Sequence, residues 1–345
     1  MYFSKFVACV LPDGKHAANK YAESLEQIKC ADAMGFRTIF LSENHFSSKL
    51  SQRSGLPNFQ GEVGITPSPL TFGMQIIENT RHIRVGTAVR NLVFNHPLHV
   101  AEEALVFDLL SKGRLDLGVG SGYRPWEFEG WRIPREESKA RFIEAVEILD
   151  TAMRGQPFSY TGEYFDIPQV QLVPGPYHTQ PRPEIYLATG DPFFIQMAAE
   201  RDFGVMSFST SSEDHLKNLY AQWCSIAEPN GFNCAKTRFP LTRQIYIHHD
   251  PRVVDEYVMR NIPNYKAALP PDKACPSVDE LKKLYIIGSP EECIRQIEHT
   301  RDAMACEHLI LWFNFGWLTH HEVLEQMTLF YEEVMPHFSK SLVSR

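Results

Sequence analysis

No segment of the chain approaches the ~20 consecutive apolar residues that a membrane-spanning helix needs, and the opening stretch, Met1 to Val10, is interrupted by Ser4 and Lys5. A membrane partner is therefore not expected, and the cytoplasm is the expected location. There is no block of Lys or Arg either. With 34 basic against 42 acidic residues the net charge is -8, so nothing offers to neutralise a run of phosphates, and nucleic acid is not an expected partner. The seven cysteines (Cys9, Cys30, Cys224, Cys234, Cys275, Cys293, Cys306) are odd in number and contain no C-x-x-C pair. That disfavours both a disulfide framework and a structural zinc, and the sulfurs read as small buried hydrophobes with no metal to hold. No G-x-G-x-x-G occurs, since Gly118-Val119-Gly120-Ser121-Gly122-Tyr123 lacks the last glycine, and H-E-x-x-H is absent.

What the chain does have is a repeat of short β-branched or aromatic runs, each followed by a helix-period segment. The candidate strands, eight in all, are Phe3 to Val10, Thr38 to Leu41, Ile83 to Val89, Leu115 to Val119, Glu184 to Ala188, Gly204 to Phe208, Pro240 to Ile247 and His308 to Phe313. Alternation of this kind builds parallel strands, either as an open doubly wound sheet or as a closed barrel. The open sheet needs a glycine-rich nucleotide turn after an early strand, and the first strand runs instead into Leu11-Pro12-Asp13-Gly14. The expected architecture is a single (β/α)8 TIM-type barrel over residues 1–345, with insertion loops at its C-terminal face. Two helix starts are written out as capping boxes, Ser289-Pro290-Glu291-Glu292 and Thr319-His320-His321-Glu322. Behind them Ile294, Ile297 and Met304, and then Val323, Met327, Phe330 and Val334, recur at helical spacing, as do Phe142, Val146, Leu149 and Met153 earlier in the chain. Two stretches break the repeat: Ser42 to Pro69, and a Pro- and Lys-rich excursion from Asn261 to Lys283. Both are expected near the active face, as a mobile cover or as plain barrel-end and subunit contact.

In a barrel the chemistry sits just past the carboxyl ends of the strands. After strand two, Glu43 and His45 are two apart and share a face, an acid beside an imidazole with Asn44 between them. That pairing suits proton transfer, or equally a structural tie for the loop. After strand four, glycines alternate through Gly118, Gly120 and Gly122 to Tyr123-Arg124, leaving bare backbone for a flat ligand or a turn. After strand five, Thr189-Gly190-Asp191-Pro192 reads as a helix start with Asp191 as its cap. Such an amino terminus binds anions, although Asp191 already occupies its free N–H groups. The last strand ends in Leu311-Trp312-Phe313-Asn314-Phe315-Gly316-Trp317, which makes Asn314 and Trp317 candidate pocket residues.

The order Glu43-Asn44-His45-Phe46, Arg84 to Val89, Asn95-His96-Pro97-Leu98 with Ala101-Glu102-Glu103, Asp108 to Arg114, Gly118 to Tyr123, Ala188 to Glu200 and Gly288 to Ile294 resembles the bacterial luciferase-like flavin-dependent monooxygenase family over nearly the whole chain. The resemblance implies an oxidoreductase that binds reduced FMN, usually supplied by a separate flavin reductase. It implies that O2 is the co-substrate, giving a flavin C4a-hydroperoxide that oxidises a small organic substrate, and that water is kept out. It implies an unusual cis peptide at Ala88-Val89 beneath the ring, and flavin contacts from Gly120, Ser121, Gly122, Tyr123, Gly190 and Asp191. It further implies a homodimer or a heterodimer with a related subunit, with Pro67 to Leu110, including His96 and Glu102, as the contact. Glu43, Asn44 and His45 become the catalytic candidates.

The match has departures. Luciferases carry a second histidine where Asn44 stands, a cysteine at Gly120 and an arginine at Ser121, and many relatives have a serine at Asp191. Light emission is therefore not expected, and Arg124 becomes a candidate for the cofactor's phosphate. The competing readings are a deazaflavin-dependent dehydrogenase on the same barrel, a non-catalytic flavin-binding subunit, and a metal-dependent hydrolase. The hydrolase is weakened by the lack of H-x-H in strand one.

Overall fold

The computed structural model describes residues 1–11, 15–46, 65–177, 182–207, 213–268, 277–304, 306–313 and 318–339. Eight parallel strands carry the fold: β1 Tyr2–Val7, β2 Thr38–Leu41, β3 Arg84–Thr87, β4 Leu115–Gly120, β5 Glu184–Ala188, β6 Gly204–Met206, β7 Leu241–Ile247 and β8 His308–Trp312. They are hydrogen-bonded in the order β7-β8-β1-β2-β3-β4-β5-β6. A parallel bridge from Ser207 to Leu241 joins the two ends of that order, so the sheet curls into a barrel. β2 and β4 are buried along their whole length, as strands covered on both faces must be, and this is why, Thr38 and Asp116 apart, they carry no polar side chain.

The helices α1 Ala17–Ala33, α2 Pro69–Asn79, α3 Pro97–Leu110, α4 Pro125–Trp131, α5 Ser138–Ala152, α6 Pro192–Glu200, α7 Glu213–Ala227, α8 Pro251–Ala268, α9 Val278–Leu284, α10 Pro290–Met304 and α11 His320–Leu329 follow in chain order. Several start on the signals written in the sequence. Asp191 accepts from the Phe193 N–H at 2.9 Å with Pro192 in the first turn. Both capping boxes form, Ser289 with Glu292 and Thr319 with Glu322. None of the described helices is long and apolar enough to cross a membrane.

The outward sides of the strands and the inner faces of the helices make the main core, with Ile39, Val85, Leu117, Ile185, Val205, Ile245 and Leu309 at its centre. Inside the barrel a second, smaller layer packs Phe40, Tyr186, Met206 and Ile310 together. Beneath it, at the amino ends of the strands, polar groups are closed off in pairs. Ser4 Oγ meets His308 Nε2 at 2.7 Å, Thr38 donates to Asp116 at 2.7 Å, and Arg84 reaches Asp116 at 2.9 Å.

The structure departs from the sequence reading at the edges of elements. β1 stops at Val7 rather than Val10, and β3 stops at Thr87 rather than Val89, after which the chain re-pairs as a two-residue strand, Arg90–Asn91, alongside Val119 and Gly120. A hairpin, Phe158–Thr161 with Asp166–Val170, was not expected. Its residues are largely exposed and include Pro168, so it lacks the apolar run that marks a barrel strand. A three-residue strand, Ile286–Gly288, adds to the carboxyl half of β7 and is too short to show a period. The excursion from Asn261 to Lys283 proves to be partly helical, because Val254, Tyr257, Val258 and Asn261 extend one buried helical face into it. Residues 47–64 and 269–276 of the two irregular stretches lie outside the described residues, as do Asn314, Trp317, Cys275 and Phe208.

Candidate active site

The carboxyl end of β2 delivers Glu43, Asn44 and His45 to the barrel mouth, all three buried. Glu43 Oε1 lies 2.8 Å from His45 Nε2. The other carboxylate oxygen takes a 2.7 Å bond from Arg90 Nη1 and a longer one from the Asn91 N–H, and Asn95 Nδ2 donates to Oε1 at 3.2 Å. Arg90 also reaches Glu103 at 3.0 Å. Burial works against the Arg90 charge, but Glu43 and Glu103 outweigh it and hold the guanidinium pKa above its ordinary value. The carboxylate is thus fixed from four sides, and it fixes the imidazole in turn. Nδ1 of His45 has no hydrogen-bond partner among the described residues, and the imidazole is surrounded by rings. Those of Trp131, Phe46 and Phe94 stand 5.2, 6.0 and 6.1 Å away between centroids. Asn44 is tied locally, its amide donating to Ser42 Oγ at 2.9 Å.

The second element of the mouth is its floor. Phe6, Ala88 and Ala188 pack onto the Phe40 layer and are only partly buried, and Trp312 at the end of β8 stands edge-on to Phe6 at 4.9 Å. The Ala88-Val89 peptide is cis, as the resemblance implied. Small residues with aromatic walls, reached from outside, suit a flat apolar ring system such as a flavin. A Cβ at Gly120 would stand 2.7 Å from Val89, and one at Gly122, where φ is +71°, 2.8 Å from Phe94. These glycines let β4 close on the residues that shape the floor and wall. Ser121 is occupied through its carbonyl, which accepts from Ser138 at 3.1 Å. Tyr123 is exposed, with the Arg124 guanidinium over its ring at 5.2 Å and over Trp126 at 5.3 Å.

At the end of β5, Asp191 acts as the cap of α6, and Lys139 stands 3.6 Å from its other oxygen. The nearest side-chain atom to the space above Gly190 belongs to His215, 3.5 Å from where a Cβ would stand. The His96 imidazole accepts from the Leu98 N–H and caps α3.

Two site residues were not found from the sequence. Arg90 is one, and its signal was a lone arginine inside the apolar run Thr87 to Phe94, which demands a buried carboxylate. Glu127 on α4 is the other. It is 2% exposed and accepts the His45 N–H at 2.9 Å. Burial pushes its carboxyl pKa up, against the His45 N–H and the nearby Arg124. No cation forms an ion pair with it among the described residues.

A curled parallel barrel with a half-open apolar floor and a carboxylate-bound histidine at the strands' carboxyl ends defines an enzyme-like site. A family model described as luciferase-like monooxygenase matches residues 1–307, so the chain belongs to that family and is an oxidoreductase. It is 34% identical to a protein of Sinorhizobium fredii over 200 residues, a stretch covering 58% of this chain and 54% of that one, about half of that relative's length. It is 25% identical over 373 residues to the oxygenase component of a flavin-dependent trigonelline monooxygenase of Acinetobacter baylyi, covering 100% of this chain and 98% of the relative. Among solved structures, the monooxygenase RslO1 of Streptomyces bottropensis superposes with a TM-score of 0.86 at 25% identity, over 98% and 100% of the two chains. The oxygenating constituent of the Pseudomonas putida 3,6-diketocamphane monooxygenase, solved with FMN, gives 0.78 at 18% over 97% and 98%. An F420-dependent secondary alcohol dehydrogenase gives 0.76 at 16% over 97% and 98%. The last two likenesses speak for the fold.

Proposed function

We propose that the chain is the oxygenating component of a flavin-dependent monooxygenase, taking reduced FMN from a separate reductase and using O2 to oxidise a small organic substrate. The observation that carries this is the Glu43–His45 pair, held by Arg90 and set beside the partly open Ala88 and Ala188 floor. The name of the trigonelline relative, an oxygenase component, supports the separate reductase, and the FMN-bound barrel structure supports FMN. Reduced flavin, when bound, supplies the electrons with which O2 is activated so that one oxygen atom reaches the substrate and the other leaves as water.

The chain's own residues do the rest. Ala88, Val89 and Ala188 would seat the ring, with Gly120, Ser121, Gly122 and Tyr123 forming the adjacent edge and Gly190 and Asp191 the far rim. Arg124 or Lys139 would meet the phosphate. Glu43 fixes the imidazole through Nε2, which leaves Nδ1 as the atom that gives or takes a proton at the reacting centre. Asn44 offers its amide as a polar edge. Phe46, Phe94 and Trp131 give that imidazole apolar surroundings. On the same reading the protein works in the cytoplasm as a dimer, homo- or heteromeric, and the apolar side chains Val106 and Leu110, exposed on α3, support that contact.

The test is to mix reduced FMN with oxygenated buffer, with and without the protein, and follow the return of oxidised-flavin absorbance. A return much slower than that of free FMN is the expected result. Return at the free rate overturns the reading, and reduction of oxidised F420 by an alcohol in the presence of the protein would then put the dehydrogenase in its place.

A further inference from the structure

Away from the barrel mouth, two of the cysteines that looked inert in sequence come together. Cys224 lies in the last turn of α7, and Glu228 follows four residues later on the same helical face. A turn of 3-10 helix, Glu228–Asn230, then leads to Gly231 in the left-handed region at φ 77°, which reverses the chain and returns Cys234 to Glu228. The Cys234 thiol donates to Glu228 Oε1 at 2.9 Å. The two sulfurs and a carboxylate oxygen all lie within 4.8 Å of one another. The returning loop is fixed before any ligand arrives. Tyr220 donates to the Cys234 carbonyl at 3.0 Å, the Ala235 N–H to Asn233 at 2.9 Å, and Arg238 to the Asn233 carbonyl at 2.6 Å, while Phe232 packs on the core.

We propose that Cys224, Glu228 and Cys234 form a binding site for a thiophilic divalent cation of the zinc type. Zinc–sulfur bonds of about 2.3 Å and zinc–oxygen bonds of about 2.1 Å in a tetrahedron put the ligand atoms roughly 3.6–3.8 Å apart, inside the present spread. Two thiolates and one carboxylate leave the fourth position to water, and the site is half-open, as entry requires. Binding forms two metal–sulfur bonds and breaks two S–H bonds, the protons leaving to solvent. The carboxylate exchanges the Cys234 hydrogen bond for the metal. The proposal is independent of the flavin reading, since the three residues sit on α7 and the segment after it.

The test uses the full chain with its thiols kept reduced, titrated with Co2+ alone and followed by the thiolate-to-cobalt charge-transfer absorbance, then with Zn2+ as displacing ion. One equivalent is expected to give the band, and Zn2+ to abolish it. Cys224→Ser and Cys234→Ser should each weaken binding by at least the roughly 10–100-fold that losing an outer-shell partner costs a metal site, and Glu228→Gln should weaken it less. Retained folding of each variant is checked by its unfolding transition. Absence of a charge-transfer band overturns the proposal, as does a band that survives both serine variants. A disulfide between Cys224 and Cys234 that resists reduction in the purified chain, seen as a mass lower by two hydrogens, also overturns it.

Discussion

Two histidines stand at opposite ends of the same barrel. His308, the first residue of β8, is fully buried with both ring nitrogens bonded inside the protein, Nε2 to Ser4 at 2.7 Å and Nδ1 to the Thr237 carbonyl at 3.1 Å. Burial, reinforced by Arg37, pushes its pKa down to about 4, so it is a neutral structural group at neutral pH. His45, beyond the end of β2, is nearly as buried, yet among the described residues only its Nε2 is bonded, to a carboxylate that Arg90 already neutralises. Around His308 lie closed pairs such as Arg84 with Asp116, while around His45 lie aromatic rings that are partly exposed, Phe46 at 42% and Trp131 at 40%. The contrast teaches that burial alone does not separate a structural histidine from a functional one. What separates these two is the second nitrogen, bonded in His308 and without a partner among the described residues in His45, where the proposed function puts the substrate.

Substitution at the closed end should cost most. Asp116→Ala removes the partner of a mostly buried Arg84 and should cost about 3–5 kcal/mol in denaturant unfolding, with flavin reoxidation unchanged in whatever fraction folds. Next comes acid. His308 takes up its proton at about pH 4 when folded and near 6.5 when unfolded, so the unfolded chain binds more protons between those values and stability falls as pH falls. The loss by pH 4 should be about 3 kcal/mol, read as midpoint shifts in urea, and His308→Gln should flatten that slope. A smaller effect belongs to α4. Glu127→Ala leaves the His45 N–H unpaired and should cost about 1–3 kcal/mol, whereas Glu127→Gln keeps an acceptor and should restore most of it. The smallest is Gly130→Ala, whose Cβ would stand 2.3 Å from the Phe46 ring. Because Phe46 is exposed and can swing away, stability should change by no more than about 1 kcal/mol, and the change should show as altered Trp131 fluorescence.

The same contrast explains what was legible in the sequence. Glu43 and His45 could be read because they are two residues apart on one strand end, and Asp191 because its cap and proline are adjacent. The strand repeat and both capping boxes are likewise local. Arg90 and Glu127 were missed because their partners lie 47 and 82 residues away, and only the fold brings them together. Gly120 and Gly122, at and just past the end of β4, were visible, but not that a side chain there would meet Val89 and Phe94, a fact of packing rather than of spacing. The convergence of Cys224 and Cys234 depends on a left-handed turn at Gly231, which no cysteine count reveals.

On the proposed function, one end of the barrel serves stability and the other chemistry. This division is tested most directly by measuring, for His45→Gln and His308→Gln side by side, both the unfolding midpoint and the reoxidation of bound reduced FMN. The expected result is that His45→Gln unfolds within about 1 kcal/mol of the parent but changes the reoxidation rate and its pH profile, while His308→Gln does the reverse. A His45 variant that only loses stability, or a His308 variant that alters reoxidation while still folded, would contradict it.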